Sequence, residues 1–164
     1  VFVLLKNKKS IINIIFSLVC LATFWWQFSW FILFNTESTI IANIIIRIGY
    51  AGIILIPIIF FHFFIIFLER KNKFDKLLLY FSYLLAFIFE ALLFNTNYFI
   101  SGYYKYFWGF YPKANIAHFF YLLLLTILVF RIIYLLVSSL KNTESILAYK
   151  YQQIKYLAIN LFAD

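Results

Sequence analysis

The sequence predicts an all-α fold, a polytopic transmembrane helical bundle read as a single domain over residues 1–164. Composition is the first reason: 66% of residues are hydrophobic, 24% aromatic and only 12% charged, with a mean hydropathy of +0.95. A soluble domain of 164 residues cannot hide that much apolar surface. The second reason is distribution. The apolar residues fall in runs close to the roughly 20 residues a helix needs to cross a bilayer, and the basic residues collect in alternate connectors.

In order, residues 1–5 read as the tail of a helix, and residues 11–34 as a run without formal charge. As a helix this second run is about 36 Å long. Residues 40–68 form the third run, broken only by Arg47, Pro57 and His62. Residues 77–94 form the fourth and shortest, interrupted by Glu90, and span by borrowing Asn95 to Tyr98 or by tilting less. Residues 116–140 make the fifth, carrying Arg131, and a sixth begins near residue 151.

Loop charge orients these segments. The connectors holding Lys6, Lys8 and Lys9, then Arg70, Lys71, Lys73 and Lys76, then Lys141, Lys150 and Lys155 carry ten positive charges. The alternate connectors carry two, Lys105 and Lys113. The basic connectors are therefore expected in the cytoplasm. The net charge of +8 is explained by this asymmetry, and no nucleic-acid partner is needed. Val1, the lack of any Met and the stop at Asp164 within an apolar stretch lead to the expectation of a piece cut at both ends. The sixth run starts inside, so a seventh helix must precede any cytoplasmic C-terminal domain.

Arg47 and Glu90 are the first candidate functional residues, because a charge at membrane depth is costly unless paired, hydrated or interfacial. Counting from the ends of their runs, Arg47 lies roughly 10 Å and Glu90 roughly 6 Å below the outer surface. They either share an ion pair or polar network beside an outward-facing cavity, or snorkel separately to the headgroups. A pair, if formed, would be structural before it is sensory. Arg131, toward the cytoplasmic end of its run, is expected to snorkel.

The outer segment 95–115 is expected to fold back onto the bundle as a loop, with Gly102, Gly109 and Pro112 as turn residues. Its Tyr106, Trp108 and Tyr111 read either as an interfacial aromatic belt, the commoner cause, or with Lys105 and Lys113 as a ligand floor. Pro57 is expected to kink the third helix, and Gly49 and Gly52, one turn away and with Arg47 two residues earlier, permit close helix contact. His62 and His118 are too far apart in depth for a metal site, and Cys20 reads as an inert thiol. No phosphate-binding loop, nucleophile elbow or zinc-protease motif occurs, so no catalytic residue, metal or cofactor is assigned.

Several of these features resemble the histidine kinase N-terminal seven-transmembrane region. They are Phe16 with Trp25 or Trp26 after a basic segment, and the stretch Arg47-Ile48-Gly49-Tyr50-Ala51-Gly52 with Pro57 beyond it. The string Tyr106-Phe107-Trp108-Gly109-Phe110-Tyr111-Pro112-Lys113-Ala114-Asn115 is the most specific, followed by His118 and by Gln152-Gln153-Ile154-Lys155-Tyr156-Leu157. Asn115 departs from the family, which more often has Gly there. The resemblance spans Phe16 to Asp164. It implies a membrane sensor or anchor of a two-component signalling protein in a bacterial inner membrane, with a cytoplasmic output domain in cis and a homodimeric parent. The rival readings are a small transporter or channel, with Arg47 and Glu90 lining its path, and, ranked last, a membrane enzyme acting on lipid.

Overall fold

The computed structural model describes residues 10–70, 72–141, 152 and 154–156. The expected helix tail at 1–5, the basic residues Lys6 to Lys9 and the connector carrying Lys150 lie outside the described residues. So does most of the sixth run, of which residues 152 and 154–156 are helical. Four long helices, α1 (Ile11–Asn35), α2 (Thr39–Phe67), α3 (Lys73–Asn95) and α4 (Ile116–Lys141), surround one core, with a hairpin of β1 (Ile100–Tyr106) and β2 (Gly109–Ala114) at one end. All four helices are long and apolar enough to cross a membrane, as in an integral membrane protein.

The helix ends follow local capping chemistry. Ser38 Oγ accepts from Ile41 N before α2, and Asn72 Oδ1 accepts from Phe74 N before α3. The Asn72 cap starts α3 a turn earlier than its apolar run, so Lys73 to Lys76 are helical and the expected extension through Asn95 to Tyr98 is not needed. After α2, the N–H groups of Glu69 and Arg70 donate to the carbonyls of Ile66 and Ile65. With Glu69 left-handed at φ 52°, this is a Schellman-type stop.

Helix α2 is central. It packs against α1, α3, α4 and both strands, and its buried residues, from Ala42 to Ile65, fall on several faces. An all-round apolar helix is expected to be enclosed in this way. Close contact with α1 depends on missing side chains. A Cβ on Gly49 would lie 2.8 Å from Ser29 Cβ, and one on Gly52 would lie 3.2 Å from the Ala22 carbonyl oxygen and from Trp25 Cδ1. Trp25 Nε1 donates to the Ile48 carbonyl across the same seam at 3.0 Å. In contrast, α1 buries only Ile15, Ser29 and Leu33 and leaves Phe24, Phe28 and Phe31 on the outer surface of the bundle.

The segment expected as a loop is instead an antiparallel hairpin, so the fold is helical with one small sheet. Tyr106 pairs with Gly109 across a two-residue turn, Phe107-Trp108. Gly102 and Pro112, expected in turns, lie within the strands, opposite Lys113 and Tyr103. Phe110 and Pro112 are buried while Tyr111 and Lys113 are exposed, the period of two that a half-covered strand requires.

Candidate functional site

Two polar assemblies sit at opposite ends of the bundle. At the hairpin end, Arg47 on α2 reaches the C-terminus of α3. Its Nη1 donates to the carbonyl oxygens of Leu93 and Thr96, the latter at 3.0 Å, and its Nη2 donates to Asn97 Oδ1 at 2.8 Å. The last carbonyls of a helix have no intrahelical partner and carry partial negative charge, so a guanidinium is a natural cap. Asn115 extends the network. Its Nδ2 donates to the Asn97 carbonyl and its Oδ1 accepts from Ile116 N, both at 2.8 Å, joining the base of the hairpin to the start of α4.

Arg47 and Glu90 form no ion pair among the described residues. Arg47 therefore neither pairs with Glu90 nor snorkels alone. Glu90 Oε1 is buried and has no hydrogen-bond partner.

Above this network lies an aromatic platform. Tyr106 and Trp108 stack at 4.9 Å and 7°, and Tyr111 meets Trp108 edge-on at 6.2 Å. The platform rests on α1, with Trp30 5.4 Å from Tyr111 and Phe34 5.4 Å from Trp108. Gly109 makes this seating possible. Its φ is +134°, and a Cβ there would lie 2.9 Å from the Leu33 carbonyl oxygen and from Phe34 Cα. The two lysines cover rings of the hairpin itself, Lys113 over Tyr104 at 5.7 Å and Lys105 over Phe110 at 5.6 Å.

Beneath the hairpin, Phe99 is fully buried and touches Tyr50, Phe89, His118 and Tyr121 at ring distances of 5.6 to 6.0 Å. Sequence reasoning did not single out Phe99, one of 23 phenylalanines. His118 contributes a ring to this cluster, and no group of three metal-ligating side chains occurs among the described residues.

Pro57 has a specific consequence for its neighbours. Lacking an N–H, it leaves the Ile53 carbonyl without its helical donor. Tyr121 Oη on α4 donates to that carbonyl at 2.9 Å. A mostly apolar cavity of about 280 Å³ lies alongside, lined by Trp26, Ile53, Pro57, Phe60, Tyr121 and Leu125 among others. Trp26 Nε1 is buried there without a partner.

At the opposite, basic end, Arg131 does not snorkel. Its Nε and Nη2 both approach Asp75 Oδ1, at 2.7 and 2.6 Å, and the Asp75 side chain is 1% exposed. The guanidinium also lies 4.9 Å from the ring centres of Phe74 and Tyr134. Asp75 stands in the first turn of α3, where the helix dipole favours a negative charge. Arg70 Nη2 donates to the Leu135 carbonyl and to Ser139 Oγ, binding the α2–α3 connector to α4. Asp75 was not among the sequence candidates because it lies in the charged stretch 69–76, read there as a loop.

Comparison with family models, with characterised proteins and with solved structures returned no match.

Proposed function

We propose that this chain is a membrane-embedded sensory or anchoring region of a signal-transduction protein, in the manner of the N-terminal region of a sensor histidine kinase. In this reading the basic end faces the cytoplasm of a bacterial cell. A stimulus at the hairpin end is relayed to an output domain of a dimeric parent protein.

One observation carries the reading: the hairpin is fastened to several helices at once. Gly109 and Trp108 seat it on α1, Arg47 and Asn97 tie its base to α2, and Asn115 joins it to α4. A displacement of the hairpin must therefore repack helix ends, which is how a packed bundle converts a local change into a discrete shift. The membrane-depth arginines support the same view, since Arg47 and Arg131 are committed to helix–helix contacts.

The test uses the full-length protein in proteoliposomes. Trp108→Ala should change the steady-state level of phosphorylation, or of the other output reaction, by about fivefold or more at unchanged protein abundance, the lower range of typical allosteric coupling. A parent protein with no kinase, cyclase or other signalling module would overturn the proposal. Solute flux through the reconstituted protein, abolished in Glu90→Gln, would establish the transporter reading in its place.

A further inference from the structure

A second pocket, of about 390 Å³, opens at the basic end between α2 and α3. Its charged groups come from the helix ends: Glu69 and Arg70 just past α2, and Lys76 in the first turns of α3. Its deeper wall is Ile65 and Ile66 on one side and Leu79 on the other. His62 also lines the pocket, and its Nδ1 meets Tyr83 Oη at 3.0 Å, bridging the two helices. At the helical rise, His62 lies about 8 Å inside the end of α2. The pocket thus spans the depth from headgroup to upper acyl chain.

We infer that this pocket binds the headgroup of an anionic phospholipid from the surrounding bilayer. Arg70 and Lys76 outweigh the single carboxylate of Glu69, and basic pockets between transmembrane helices are the usual sites for acidic headgroups. Arg70 is also held in place. Its Nη2 is anchored by Leu135 and Ser139 at 3.2 and 3.1 Å, which fixes its positive charge at the pocket wall. A fixed guanidinium charge beside the mobile ammonium of Lys76 suits an anionic headgroup. Lys76, Tyr80, Leu84 and Phe87 follow one another at helical spacing along α3, and Tyr80, Leu84 and Phe87 are exposed on the bundle surface. This stripe begins with a cation at the headgroup and continues as an apolar track for an acyl chain. A free phosphate would use only the first part of it.

The inference does not depend on the signalling reading. It is tested on the full-length protein in detergent, with phosphatidylglycerol, phosphatidylcholine and inorganic phosphate as probes, by thermal unfolding and by native mass spectrometry of retained lipid. Phosphatidylglycerol should bind and raise the unfolding temperature, and phosphatidylcholine should not. Lys76→Gln should weaken phosphatidylglycerol binding about fivefold, the effect of one basic residue at a membrane surface. Lys113→Gln, at the hairpin end, should leave binding unchanged. Arg70→Gln should weaken binding at least as much, and Lys76→Gln decides the matter if that variant does not fold. Equal binding of the two lipids, or equal losses in Lys76→Gln and Lys113→Gln, would overturn the inference. Displacement of phosphatidylglycerol by millimolar phosphate would also overturn it, assigning the pocket to a free anion.

Discussion

Arg47 is held by two backbone carbonyls and one side-chain amide, and this predicts its energetics. Hydrogen bonds between membrane helices average about 0.6 kcal/mol, so removing three of them in Arg47→Ala should cost about 2 kcal/mol. Glu90 shares none of these bonds. A double-mutant cycle of Arg47→Ala with Glu90→Gln, read by denaturant titration in mixed micelles, should therefore give coupling below about 0.5 kcal/mol. A coupling above about 1 kcal/mol would mean that the two charges do pair. At Pro57 the opposite holds, because coupling is built in. Tyr121→Phe should cost about 1 kcal/mol by stranding the Ile53 carbonyl. In a Pro57→Ala background the new N–H can reach that carbonyl, so the same change should cost less than half as much. Equal costs in the two backgrounds would show that Tyr121 is not compensating for the proline.

Among the elements, the hairpin is the one whose close approach to α1 depends on a missing side chain. Gly102 and Gly109 both have positive φ, but a Cβ on Gly102 meets nothing within 4 Å, whereas one on Gly109 strikes the backbone of α1. Gly102→Ala should show backbone strain alone, about 1–3 kcal/mol. Gly109→Ala should add displacement of the hairpin tip from Leu33 and Phe34. Limited chymotrypsin cleavage within 103–111 should then run about tenfold faster in Gly109→Ala than in Gly102→Ala, as expected for a further 1.4 kcal/mol of local opening. Similar rates would mean that the contact with α1 does not hold the hairpin down. Phe107, fully exposed at the turn, and its aromatic neighbours provide the cleavage sites.

For the whole molecule, the two ends are held by different physics. The hairpin end is fastened by aromatic packing and neutral or singly charged hydrogen bonds, and the basic end by a desolvated ion pair. Asp75→Ala would leave Arg131 without its counter-ion and should cost about 3 kcal/mol. Replacing both partners, as in Asp75→Leu with Arg131→Leu, should cost clearly less, because no unpaired charge remains. Unfolding in micelles measures both. A double variant as unstable as the single one would show that the pair contributes more than mutual neutralisation.

The sequence by itself determined the four spans, their order and the charge asymmetry between alternate connectors. Apolar length and loop charge add up residue by residue along the chain, so they need no knowledge of neighbours in space. The hairpin was only partly legible. Gly109 and the alternation from Phe110 to Lys113 carry its signal, but aromatic residues on both faces obscure the period of two. Only the tertiary structure decided which groups meet. Arg47 caps α3 in place of a meeting with Glu90, Arg131 finds Asp75, and Tyr121 serves the carbonyl released by Pro57. Each partner lies 46 to 68 residues away, and its identity depends on how helices rotate and stack. Burial favours a partner for each buried polar group, but which group finds one, and where, belongs to the packing.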